Sequence, residues 1–136
     1  MKSIELSIVE AFILAINRHD IADLSRLMAP NHSFIDSSGS ILSGRENMTA
    51  GWKEYFRIFP NYQIHVERIL ADKSLVAVFG SASGTYNGKR GAIAENRIAM
   101  PAAWKALVEN GEIVVWQVYA DWIEGRKTIE KDNESG

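Results

Sequence analysis

The stretch G-E-I-V-V-W-Q-V-Y-A-D-W, Gly111–Trp122, decides the reading of this chain. It leaves the turn Glu109-Asn110-Gly111 and then runs apolar for most of its length. Val114, Trp116, Val118, Ala120 and Trp122 share one parity; Ile113, Val115, Gln117, Tyr119 and Asp121 share the other. β-Branched and aromatic residues on both parities predict a strand covered on both faces. Two tryptophans, a tyrosine and an aspartate near one end give it the character of a pocket wall.

Working outward, the turn at Glu109–Gly111 makes this strand the second arm of a hairpin. The first arm runs from about Ile93 to Val108, and Pro101 within it implies a bulge or an edge position. Residues 62–70 and 75–86 read as two earlier strands joined by Ala71-Asp72-Lys73-Ser74. Gly80 and Gly84 in the second of them imply bending or a close backbone approach. Before Tyr62 the period is helical. Ile4, Ile8, Phe12 and Ile16 place one apolar stripe on a helix over residues 3–18. Asp20 followed by Asp23 opens a second helix to about Met28, stopped by Pro30. His32, Phe34 and Asp36 share a parity in a short extended run that ends at Ser37-Ser38-Gly39. Ser43-Gly44-Arg45-Glu46 fits a capping box and starts a third helix, burying Met48, Trp52, Tyr55, Phe56 and Phe59 before Pro60. Helices followed by a strand meander define an α+β fold, with the helices on one face of a curved antiparallel sheet. The expected domain spans residues 1–123, and the polar tail 124–136 is expected to fray.

Composition excludes several functions. A chain of 136 residues that is 46% hydrophobic forms one domain with enough buried surface for a core and an internal cavity. A net charge of −2 with no basic cluster gives no footprint for nucleic acid. The absence of cysteine excludes disulfides and thiolate chemistry and suits a cytoplasmic protein. Glu5 and Glu10 interrupt the N-terminal apolar run, so no signal peptide is expected. No apolar run approaches the roughly 20 residues of a membrane helix. His19, His32 and His65 have no metal-ligand spacing, so neither metal nor cofactor is expected.

The order of these elements resembles the nuclear-transport-factor-2-like superfamily, in its SnoaL-like, ketosteroid-isomerase-related branch. The likeness covers residues 4–123 and rests on His19-Asp20, Phe34-Ile35-Asp36, Gly44-Arg45-Glu46 and the hairpin Val108–Ile113. Pro101-Ala102-Ala103-Trp104 and Trp116–Asp121 add to it. The resemblance implies a cone-shaped α+β barrel with three N-terminal helices, four to six strands and an apolar cavity. It also implies a homodimer packed through the outer sheet face. Activity is implied far less sharply, because relatives include isomerases, cyclases, dehydratases, epoxide hydrolases and domains without chemistry.

Within that resemblance Asp36 stands where related ketosteroid isomerases place their general base. A carboxylate at an apolar wall is desolvated, which raises its pKa and strengthens it as a base. The competing reading is an Asx cap of the Ser37–Gly39 turn. The oxyanion partners of such isomerases fall here on Phe12 and beside Ala103-Trp104. Neither Phe12 nor Ala103 donates a side-chain hydrogen bond, so steroid isomerisation is disfavoured. Asp121 is the second acid candidate, although its parity opposes that of Trp116; an interface or helix-end bond is the alternative. Trp104 and Trp116 are expected as neighbours that stack a flat ligand, with Tyr119 as a polar handle. Phe12, His32, Trp52 and Tyr55 complete the expected ligand-binding set. Two functions remain open: proton-transfer chemistry on an apolar cyclic or amphipathic small molecule, or a ligand-binding or dimerisation module without catalysis.

Overall fold

In the computed structural model, which describes residues 2–135, the four-spaced apolar residues form α1 (Ile4–Arg18). Ser3 caps it, accepting the Leu6 N–H at 3.2 Å. Val9, Phe12, Ile13 and Ile16 are buried beneath it. Each such side chain contributes about 1.5–3 kcal/mol against about 1 kcal/mol for a cap, so packing rather than capping holds α1. His19 ends the helix in the left-handed region, φ 55°. Its Nε2–H donates to the Tyr62 carbonyl oxygen at 2.9 Å, and its ring stacks on Phe56 at 3.9 Å. Asp20 then caps α2 (Ile21–Leu27) by accepting the Asp23 N–H at 3.1 Å.

Met28 already belongs to β1 (Met28–Ile35), so α2 stops short of the expected boundary. The residue before a proline avoids helical backbone, and Pro30 sits exposed inside β1. β2 (Ile41–Ser43) pairs back on β1, with Ser43 opposite Ser33. That pairing corrects the expected capping box. Ser43 is held in the strand, Gly44 makes the turn at φ 98°, and α3 (Arg45–Ile58) begins with no side-chain cap. Burial of Met48, Trp52 and Phe56 outweighs the missing cap by several-fold.

β3 (Gln63–Asp72), β4 (Leu75–Thr85), β5 (Arg97–Glu109) and β6 (Glu112–Ala120) form the meander. Ala94–Asn96, expected at the start of β5, is a short 3-10 turn. The sheet order is β2-β1-β6-β5-β4-β3. β1 lies parallel to β6 and every other pair is antiparallel, so the sheet is mixed where an antiparallel one was expected. A parallel pair needs a long crossover, and here everything from α3 to β5 supplies it. β2 and β3 form free edges of this sheet, so the expected barrel does not close.

Three irregularities shape the sheet. At Gly80 a Cβ would lie 1.9 Å from the His65 carbonyl oxygen, beside the register shift between Val66 and Arg68. The expected close backbone approach is therefore real, and only glycine fits it. Pro101 pairs with Ser81 without a register shift, while the ladder from β5 to β6 ends at Ala102–Ala120. Proline thus stands where β5 has a neighbour on one side only, and its missing N–H is tolerated. In β6, Leu107 faces Val115 and Val108 faces Ile113, leaving Val114 as the extra residue of a bulge. Ile113 and Trp116 are consequently both buried, and the predicted parity holds only from Trp116 onward.

The expected fraying tail is also corrected. Residues Ile123–Glu134 form α4, docked through Gly125, Ile129 and the fully buried Asp132. A Cβ at Gly125 would lie 2.8 Å from the Trp122 ring and 3.2 Å from Ile98, so this glycine lets α4 approach β5. Among the described residues no helix is long and apolar enough to cross a membrane.

Candidate functional site

α3, the inner face of the sheet and α4 enclose a cavity of about 520 Å³. This lies within the range of small-molecule sites, roughly 300–1,000 Å³. All four tryptophans of the chain border it. Trp104 and Trp116 come from adjacent strands and stack at 6.4 Å between ring centroids, 22° between planes. Trp52 projects from α3 into a cluster with Phe12, Phe34, Tyr55 and Phe56, at centroid distances of 5.5–6.5 Å. Its indole N–H is buried with no hydrogen-bond partner. Trp122 closes the far end, 6.1 Å from Phe59.

The expected ligand-binding residues divide. Trp52, Tyr55, Trp104 and Trp116 line the cavity. Phe12 lies behind Trp116, 5.0 Å from its ring, as fully buried core. His32 is likewise fully buried and off the cavity wall. Its Nδ1–H donates to the Ile113 carbonyl at 2.7 Å and its Nε2 has no partner. That bond bridges β1 to β6 where their backbone register is interrupted, between Met28 and Ser33. Burial lowers its pKa, against the opposing effect of the Ile113 bond, so the ring is neutral. Tyr119 points to the outer face, 48% exposed, because the residues on the other parity of β6, Trp116 and Val118, take the inner one.

The two acids also differ from the expected arrangement. Asp36 borders the cavity, but its Oδ1 accepts from the Ser38 hydroxyl at 2.6 Å, the Ser38 N–H at 2.9 Å and the Ser40 N–H at 3.0 Å. The Ser38 hydroxyl leads these bonds in holding its carboxyl below the usual carboxylate range. The direction is opposite to that of a base tuned by burial, and the turn cap is realised. Asp121 is exposed and accepts the Ile123 N–H at 2.9 Å, a helix-end bond at the start of α4. It does not border the cavity, and the parity objection stands.

Several participants escaped the sequence. Tyr62, Met100, Arg126 and Ile129 also line the cavity. Tyr55 and Tyr62 meet edge-on at 4.9 Å, and burial pushes both phenols up, Tyr55 strongly. They are neutral hydroxyls, able to donate a hydrogen bond. Asp132 accepts from Arg90 Nε at 2.7 Å and Asn96 Nδ2 at 3.1 Å. The Arg90 guanidinium also reaches Glu95 at 3.5 Å. This cluster ties α4 to the loop before β5. Among the described residues no group of His, Asp and Glu has the arrangement of a metal site.

The sequence matches the SnoaL-like domain over residues 9–116. No curated protein matches it. Three solved structures illustrate the fold. A candidate SnoaL-like polyketide cyclase from Jannaschia sp. CCS1 is 17% identical, with 95% of this chain and 96% of that one covered at a TM-score of 0.81. An epoxide hydrolase of the LEH-like type from M. tuberculosis is 16% identical, with 96% and 92% covered at 0.78. A ketosteroid-isomerase-like protein from Catenulispora acidiphila, solved with trimethylamine, is 19% identical, with 90% and 92% covered at 0.78. At these identities the likeness is one of fold. Because the family match takes in every element from within α1 to the middle of β6, this chain belongs to the SnoaL-like domain family.

Proposed function

We propose that the protein binds an apolar cyclic small molecule in the cavity between α3, α4 and the sheet. The observation that carries this reading is the cavity itself: about 520 Å³, bordered by four tryptophans, with most of its remaining wall aliphatic or aromatic. A well-packed core leaves few voids larger than a water molecule, so space of this size with stacked aromatic walls favours a ligand over structural filling. Neutral hydroxyls of Tyr55 and Tyr62 supply orientation without charge. Intrinsic fluorescence tests it, since every tryptophan borders the site. Naphthalene derivatives and cyclic ketones should quench saturably, and Ala120→Trp, which fills the wall, should abolish the quenching without lowering Tm. Absence of saturation, or equal binding by the filled variant, would sink the reading.

Proton-transfer chemistry with Asp36 as base is the second reading, favoured by its position on the cavity wall. Its hydrogen bonds oppose that reading, because a carboxylate stabilised by three donors is a weaker base. For assembly, we read the outer sheet face as the meeting surface of a homodimer. Phe79, Ala103 and Tyr119 align across β4, β5 and β6 on that face, with Leu70 and Leu75 also exposed. Sedimentation equilibrium should give twice the monomer mass.

A further inference from the structure

The cavity wall is neutral but for two side chains, Asp36 and Arg126. Asp36 is already engaged by its own turn. Arg126 is not engaged. Its backbone N–H bonds the Trp122 carbonyl at 2.8 Å as part of α4, while its guanidinium forms no ion pair or side-chain hydrogen bond among the described residues.

Its place in α4 is unusual. Trp122, Arg126 and Ile129 follow the i, i+4, i+7 spacing of a single helix stripe, and all three line the cavity. An apolar side chain is expected in the middle of such a stripe. An arginine there keeps its head toward solvent while its stem covers apolar surface, which sets five N–H donors at the cavity rim. The position is also held firmly, because Asp132, six residues along the same helix, is fixed by Arg90 and Asn96. A neutral ligand filling the cavity would desolvate those donors without replacing their water. A ligand carrying a carboxylate would replace it with a bidentate, charge-assisted pair.

We propose that Arg126 selects an acidic ligand, an aromatic or alicyclic carboxylic acid whose ring lies against the tryptophan wall and whose carboxylate meets the guanidinium at the rim. This rests on the cavity being a ligand site. Arg126 is thus a specificity residue.

The test pairs 2-naphthoate with its neutral near-isostere 2-naphthamide, titrated at pH 7.5 by tryptophan fluorescence and calorimetry. The wild type should bind the acid about tenfold more tightly than the amide, and the margin should shrink as salt is raised. Arg126→Gln should abolish the preference, so that acid and amide bind that variant equally; Arg126→Lys should keep part of the preference. Equal binding of acid and amide by the wild type overturns the inference while leaving the cavity reading intact. So does an Arg126→Gln variant that retains the full preference. Failure of both probes to bind the wild type overturns the cavity reading and this inference with it.

Discussion

Asp36 and Asp132 hold similar bonds in opposite surroundings. Asp36 sits in the β1–β2 turn and receives its three donors from the next four residues of its own chain. Asp132 receives Arg90 and Asn96 across 42 and 36 residues of sequence and is fully buried. Both carboxyls are held below the usual range, Asp36 chiefly by the Ser38 hydroxyl and Asp132 chiefly by Arg90. A local turn survives the loss of such a bond, because its backbone is solvated and short. A buried junction is more sensitive, because the charge-assisted bond it loses ties two elements remote in sequence and the vacated side is shielded from water. Position in the fold, more than bond count, separates a turn cap from a structural clasp.

The largest expected effect is therefore at Asp132. Asp132→Ala takes the acceptor from Arg90 Nε and one of the acceptors from Asn96 Nδ2, and frees the C-terminal half of α4 from the loop before β5. Breaking a buried charge pair is among the most damaging single changes, and Tm should fall by about 10 °C. Since Arg126 and Ile129 ride on the same helix, ligand affinity should fall as well, and limited proteolysis should cut first within α4. A variant with wild-type Tm would show that the clasp is idle and that the two aspartates are equivalent after all.

A smaller effect separates the sites by pH. Asp36 and Asp132 have depressed carboxyl pKa values, so their contribution is present above the unfolded value of 3.8 and is lost as pH falls below it through the folded values. His32 acts earlier. Its folded pKa is lowered from 6.5 by burial, so the unfolded chain binds the extra proton first, and stability declines as pH drops below 6.5. Tm against pH should show a shallow decline beginning there and a steeper one below about pH 4. His32→Gln should remove the first and keep the second. A single acid transition in both proteins would contradict the assignment.

How far these residues were legible depends on the distance over which they act. The apolar stripe of α1 and the Asp20 cap are local patterns, and short-range spacing alone places them. Trp104 and Trp116 were legible as neighbours because a hairpin turn brings them together. His32 was visible but its role was not. Nothing in the sequence says that the β1 ladder is interrupted, so nothing says that an imidazole must bridge it. Tyr119 stands on the parity opposite Trp116, so alternation alone sorts it to the outer face, and the bulge at Val114 alters only the residues before Trp116. α4 was least legible. Its inward positions are Gly125, Ile129 and Asp132, and a glycine and an aspartate are not read as a buried stripe until Arg90 and Asn96 stand opposite. The parallel pairing of β1 with β6 was hidden for the same reason, as both partners are remote in sequence.

The smallest effect is expected at Asp36, the residue that the resemblance ranked first. Asp36→Asn keeps the shape of the side chain and one acceptor oxygen, so the Ser38 and Ser40 donors retain a partner. Exposed turns tolerate such changes, and Tm should move by no more than a degree or two. Turnover is the sharper reading. A general base normally contributes about 10²–10⁴-fold, so a proton-transfer enzyme relying on Asp36 would lose at least that factor on the substitution. With the carboxylate held by three donors, we expect Asp36→Asn to bind 2-naphthoate as the wild type does. Neither protein should convert a panel of cyclic ketones and epoxides faster than buffer. A hundredfold loss of a measurable wild-type rate would reverse the ranking and make the turn at Asp36 the catalytic end of the cavity.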